Sequence, residues 1–129
     1  MKNKLLIAAV VLFALVVIIY NYLYKSHRDI ATENVSYSVS VQNVYSSFKQ
    51  NDSLANKKYL DKTIEIYGKI TNIDLPSKII TVDEKLIARF TKNVPNNLKL
   101  KSFIALKGRL VGYDDLLEEI QMDQCTVKQ

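Results

Sequence analysis

Five side chains in the C-terminal two-thirds of the chain could together hold a ligand: Tyr67, Lys69, Arg89, Lys107 and Arg109. Tyr67 and Lys69 alternate with Ile64, Ile66 and Ile70, and Lys107 and Arg109 alternate with Ile104, Leu106 and Leu110. Period-two alternation puts the aliphatic set on one face of a strand and the other set on the opposite face. Pairing the two segments would gather a tyrosine and three cations on one surface, with Arg89 as a neighbour. An aromatic face that stacks on a base, beside cations that neutralise phosphate, is a chemistry of single-strand nucleic-acid recognition. The same pattern also describes a solvated exterior on which Lys and Arg discourage edge pairing. Charge favours the exterior: beyond residue 24 there are sixteen basic and thirteen acidic residues. That small excess falls short of a nucleic-acid footprint.

Covalent chemistry has less to work with. His27 and Cys125 are the only residues of their types, and no nucleophile, base and orienting group occur as a set. His27 is assigned to a polar cluster after an apolar segment. The acid pairs Asp83-Glu84, Asp114-Asp115 and Glu118-Glu119 lie in turn-like stretches and are read as solubilising. One Cys makes no internal disulfide, and one Cys with one His cannot supply the three or four ligands of a zinc site. There is no glycine-rich phosphate loop. The reading is therefore non-enzymatic, with no metal and no cofactor.

Two kinds of segment must position these residues. The chain has 129 residues, a formal charge of +5 and 48% hydrophobic content, but the apolar share is uneven. Positions 5 to 24 are apolar at nineteen of twenty places and uncharged. As a helix this run would cover about 30 Å, the hydrocarbon thickness of a bilayer. Its thirteen Leu, Ile, Val and Phe residues make insertion favourable by several kcal/mol, and Tyr20, Tyr22 and Tyr24 suit an interfacial aromatic belt. A cleaved secretory signal shares the basic start, Lys2 and Lys4. The length of the run and its bulky aromatic end favour an uncleaved signal-anchor, and no Cys follows to carry a lipid. Lys2 and Lys4 are matched by Lys25 and Arg28, so the N-terminal amine alone tips the orientation. The expectation is a single-pass protein of a bacterial inner (plasma) membrane, its C-terminal domain periplasmic or extracellular.

Residues 25–39 read as a polar linker. Val35, Tyr37, Val39 and Val41 alternate with polar residues, as in a short strand with no obvious partner. From Ser40, Val41, Val44, Tyr45, Phe48, Ala55 and Tyr59 fall on one helical face, with Ser38 or Ser40 as N-cap and Asn51-Asp52-Ser53 as a weak middle. Five strands follow: 64–70, 79–82, 86–90, 103–111 and 120–127. Turns are expected at 75–78, 83–85 and 112–115. Ile64 to Ile70 aligns with Ile104 to Leu110 at an offset of forty, each with an interior Gly and a basic residue after it. Gly within a strand permits a bulge or bend. Bends in the first and fourth strands and a long third connection fit a Greek-key barrel of the OB type. In that topology the first and fourth strands pair, which would set Gly68 near Gly108. The chain thus divides into an anchor (1–24), a linker (25–39) and an OB-fold domain with a leading amphipathic helix (40–129), mainly β outside the membrane helix.

The stretch Asn51 to Tyr59, with Ala55-Asn56 inside it, leads into Asp61-Lys62-Thr63-Ile64-Glu65-Ile66-Tyr67-Gly68-Lys69-Ile70. Together with Lys107-Gly108, Gly112-Tyr113 and the ending Ile120 to Val127, it resembles the bacterial tRNA_anti-like family of OB folds over about residues 40–128. The resemblance implies the helix-then-barrel order and a structural role for Cys125. It implies no activity, because one fold hosts many functions. The expected function is that of a membrane-anchored binding module of the envelope, with a protein partner in first place. The alternative is an oligonucleotide or oligosaccharide held by the basic and aromatic strand face.

Overall fold

The computed structural model describes residues 1–24 and 28–128. His27 and Lys25, used above in the polar cluster and the charge balance, lie outside the described residues. The first element, α1 (Lys2–Leu23), is a 22-residue helix with mean hydropathy 2.6 and no buried residue. It is long and apolar enough to cross a membrane. Tyr20 and Tyr24 stack at its C-terminal end with ring centroids 4.5 Å apart.

The alternating stretch before the helix does find a partner. β1 (Tyr37–Ser40) lies parallel to the first strand of the barrel, β2 (Thr63–Asp74), with Tyr37 beside Ile64 and Ser40 beside Tyr67. Sequence reasoning missed this because a parallel partner lies far along the chain and leaves no turn signal. Ser40 then caps α2 (Val41–Gln50), its hydroxyl accepting from the Asn43 amide at 3.1 Å. The weak middle of the helix is a break. The Asn51 amide donates to Ser47 and closes α2, while its side chain accepts from the Leu54 amide at 3.0 Å and starts α3 (Asp52–Tyr59). Such caps satisfy amides and carbonyls that a helix end leaves open.

The remaining strands are β3 (Ile79–Val82), β4 (Leu86–Phe90), β5 (Phe103–Asp114) and β6 (Glu119–Val127). Hydrogen bonding runs β2, β3, β4, β6, β5 and back to β2, a closed five-strand circuit. The β4–β6 pairing is parallel and the others are antiparallel, the OB arrangement. The interior is filled by the inward phase of each strand: Ile64, Ile66 and Ile70 meet Ile80, Leu86, Leu106, Leu110 and Ile120, all buried. Val41, Val44 and Phe48 of α2, with Ala55 and Tyr59 of α3, join the same core. Glu118, in the β5–β6 turn, accepts from Lys49 at 2.5 Å, Tyr45 at 3.2 Å and Lys85 at 3.4 Å. The bonds from Lys49, Lys85 and Tyr45 hold its carboxyl at about 2, below the usual 4.5. One carboxylate thus ties α2 to the β3–β4 and β5–β6 turns.

The forty-residue offset extends well beyond seven positions. β2 and β5 have twelve residues each, and each is followed by a four-residue turn. Positive φ occurs at Asp61 and Lys101, at Lys78 and Glu118, and at Glu84 and Gln124. The β2–β5 ladder runs from Thr63 beside Arg109 to Lys69 beside Phe103, with Ile66 beside Leu106 at its centre. Hydrogen bonds beyond it are exchanged in the same way: the Asp61 amide donates to the Leu110 carbonyl at 2.9 Å, and the Lys101 amide to the Ile70 carbonyl at 2.8 Å. The hairpins β2–β3 and β5–β6 are related by a local two-fold axis through the Ile66–Leu106 pair, and β4 has no counterpart.

That symmetry corrects one expectation about the interior glycines, and a local bulge bears out another. Gly68 and Gly108 do not adjoin, because the register pairs Gly68 with Ile104 and Gly108 with Ile64, on opposite sides of the axis. The bulge that an interior glycine permits occurs at Gly108, where β5 shifts register against β6 between Lys107 and Arg109, and it needs no positive φ at glycine. Gly68 and Gly108 each leave room for a close neighbour. A Cβ on Gly68 would meet Asp83 Oδ2 at 2.5 Å, and one on Gly108 would meet Cys125 Sγ at 2.7 Å and the Asp123 carbonyl at 3.0 Å. The turn expected over 112–115 lies at 115–118, and Gly112, Tyr113 and Asp114 continue β5. Asp114 makes the turn by accepting the amides of Leu116 at 2.9 Å and Leu117 at 3.0 Å, which frees Gly112 to be an ordinary strand residue.

Gly108→Ala should therefore lower stability by about 1–3 kcal/mol through overpacking. Gly112→Ala, whose Cβ meets nothing within 4 Å, should stay within about 0.5 kcal/mol of the parent. Urea denaturation of the two variants checks the contrast.

Candidate binding face

The outward phase of the β2–β5 ladder forms four rows: Thr63 beside Arg109, Glu65 beside Lys107, Tyr67 beside Ala105, and Lys69 beside Phe103. Four of the five candidate residues share this face, but the chain uses two of them internally. Arg109 grips Asp123 in a fork, Nε to Oδ1 at 2.9 Å and Nη2 to Oδ2 at 2.6 Å, and also reaches Asp61 at 3.4 Å. The hydrogen bonds that it donates to Asp123 raise the Arg109 pKa, and the guanidinium charge is met in place. Lys107 donates to the Ala31 carbonyl at 2.9 Å.

Ala31 belongs to a strap, residues 28–36, that lies along this end of the ladder. Ile30 is buried. Arg28 donates to the Asp61 carbonyl at 2.7 Å and clasps Glu33, which also accepts from the Thr63 hydroxyl at 2.5 Å. The bonds from Arg28 and then Thr63 hold the Glu33 carboxyl at about 2. The next row is closed too. Glu65, 8% exposed, accepts from Ser38 at 3.0 Å and Lys128 at 2.5 Å, and Lys128 holds its pKa below the usual range.

The other end of the ladder is bare. Tyr67 is 40% exposed, Phe103 is 75% exposed, and Lys69 stands beside Phe103. Leu100 and Lys101, just before Phe103, are exposed as well. Sequence reasoning overlooked Phe103, although an aromatic on the polar phase of Ala105, Lys107 and Arg109 was the available signal. Arg89 does not join this patch, because β3 separates β4 from β2, and β6 separates it from β5. It lines a groove of about 280 Å³ with Ile87, Val111, Glu119, Gln121 and Asp123, where carboxylates share the wall. The expected five-residue surface is thus split into a neutralised end, an open aromatic and basic end, and an isolated Arg89.

The other reactive candidates have structural duties. Burial pushes the Cys125 thiol up to about 12, against the thiolate a nucleophile needs. Asp83 accepts the Lys69 amide at 2.9 Å, and Asp114 and Glu118 make the contacts described above. Among the described residues, no three or more His, Cys, Asp or Glu side chains come together as a metal site.

This circuit of strands, led by helices and not interrupted by one, has a counterpart among known families: the model described as tRNA_anti-like matches residues 1–100. The chain belongs to the tRNA_anti-like family. A solved structure of a lipoprotein from Klebsiella pneumoniae subsp. pneumoniae, proposed to bind nucleic acid, has the same fold. It is 18% identical, with a TM-score of 0.53, over 79% of this chain and 98% of that one. No curated protein matches. Membership of the tRNA_anti-like family and the shared fold agree on an OB-type barrel.

The strap makes the face sensitive to acid. The folded pKa of Glu33 lies below its unfolded value, so its stabilising contribution is complete above about pH 4.5 and lost as the pH falls through about 2. The Glu33 carboxyl should titrate near 2 by NMR and return toward 4.5 in Arg28→Gln. Glu33→Gln should reduce the exchange protection of the Ser36 amide, which donates to the Thr63 carbonyl at 2.9 Å, already at neutral pH.

Proposed function

We propose that this chain is a membrane-anchored, non-enzymatic OB-fold binding module of the bacterial envelope that engages a protein partner through Tyr67, Lys69 and Phe103. Residues 1–24 serve as the anchor, 25–39 as a connection that lies partly along the barrel, and 40–129 as the binding domain. With Lys2 and Lys4 balanced by Lys25 and Arg28, the N-terminal amine favours keeping the N-terminus inside, which leaves the barrel periplasmic or extracellular.

One observation carries the choice of partner. Arg109 is neutralised and Lys107 is engaged by the chain itself, so no continuous cationic track remains, whereas Phe103 and Tyr67 stay exposed beside Lys69. Aromatic anchors with a polar rim are the usual centre of protein interfaces. Photo-crosslinking in cells from position 101 should capture a discrete protein, and Phe103→Ala should weaken that capture by about 2 kcal/mol or more, as for an interface hot spot. Capture that is absent, or indifferent to Phe103→Ala, removes this reading.

The same pair of aromatics favours a second reading, a single-stranded oligonucleotide stacked on Tyr67 and Phe103 and neutralised by Lys69 and Lys101. The description of the Klebsiella lipoprotein points the same way. Binding by the purified chain would then fall steeply with salt, and Tyr67→Ala would cost about 1–3 kcal/mol. An oligosaccharide would bind without that salt dependence.

A further inference from the structure

The strap limits how far the barrel can stand from the end of α1. Between Tyr24, at that end, and Arg28, already bonded to the barrel, there are three residues. Four residue steps span about 14 Å when fully extended, and less otherwise. Arg28 holds the Asp61 carbonyl at 2.7 Å, so the loop between α3 and β2 lies within one further side-chain length. The headgroup layer adds several ångströms outside the hydrocarbon core, and charges act over about 8 Å at physiological salt. The part of the barrel next to Asp61 is therefore tethered within roughly 20 Å of the end of α1, close enough to be drawn into electrostatic reach of the bilayer that holds it.

That part is basic. Lys57 and Lys58 end α3, and Lys62 follows Asp61. Among the described residues none of the three forms a salt bridge, while the Asp61 carboxylate is shared between Arg28 at 3.5 Å and Arg109 at 3.4 Å. Lys58 and Lys62 lie over the Tyr37 ring, 5.3 and 5.4 Å from its centroid. The ring gathers both ammonium groups at one place on the surface. Exposed Leu54 and Leu60 flank the group. Fixed ammonium groups near a surface favour anionic headgroups.

We propose that Lys57, Lys58 and Lys62 form a docking surface for the anionic headgroups of the membrane that carries α1. This rests on the anchor reading above. Docking holds the barrel against the bilayer by α3, in one orientation, and so gives the Tyr67 and Phe103 patch a fixed direction.

The test uses the full chain in vesicles. Leu54→Cys carries a fluorophore, since buried Cys125 does not compete for label, and headgroup-nitroxide lipids act as quencher. In vesicles of phosphatidylglycerol and phosphatidylcholine, quenching should exceed that in phosphatidylcholine alone by about threefold. Replacing all three lysines by Gln should remove the excess, and replacing them by Arg should keep it. A matching thermal melt for the Gln variant assigns its loss to charge, whereas a lowered melt assigns it to unfolding and leaves the lipid comparison in the parent to decide. Extraction of the parent chain by alkaline carbonate would overturn the anchor, and the proposal with it. Retention in the membrane with equal quenching in both lipids, or in the Gln and parent chains, would overturn the headgroup contact alone.

Discussion

Everything in the barrel hangs on the antiparallel contact between β2 and β5, centred where Ile66 lies beside Leu106. Its register decides which side chains enter the core, because a shift of one residue would turn one strand over, either sending Ile64 and Ile66 outward and Glu65 in, or sending Leu106 and Leu110 outward and Lys107 and Arg109 in. Burying unpaired charges in exchange for aliphatic side chains is prohibitive in either case. The register is thus held by the interior, and the outward rows follow from it. Closing the circuit through β3, β4 and β6 removes the exposed edges of an open sheet, and α2 with α3 adds apolar contacts to a domain whose small size alone would leave it marginal.

Sequence pattern carried the elements far because each signal was local. The isoleucine alternation marked β2, the Asn51 region marked the break between α2 and α3, and the short strands 79–82 and 86–90 coincide with β3 and β4. The failures were non-local. β1 needed a partner twenty-seven positions away, and the strap depends on Arg28, Glu33 and Thr63 meeting only after folding. The candidate face was half legible for the same reason. Alternation correctly placed Tyr67, Lys69, Lys107 and Arg109 outward, but nothing in the strand itself shows that Asp123, Asp61 and the Ala31 carbonyl arrive to meet two of the cations. Counting cations overstated the open charge.

The electrostatics of the molecule are accordingly internal at one end and open at another. Glu33, Glu65 and Glu118 each hold basic side chains that link separate elements. Exposed ion pairs of this kind contribute little individually, but here they coincide with hydrogen bonds to hydroxyls of Thr63, Ser38 and Tyr45. Their main effect is to specify which element lies on which. The cations left over, near α3 and around Lys69, are those available to something outside the chain.

The local two-fold axis gives the strap a further meaning. The β2–β5 ladder offers its outer face twice, one copy at Thr63 and Arg109 and a second at Phe103 and Lys69. The first copy is filled by the chain's own residues 28–36, and the second carries different side chains and no cover. A backbone that is symmetric at this ladder is in this way made unequal in what it shows to solvent: one end is closed by the chain itself and the other is open.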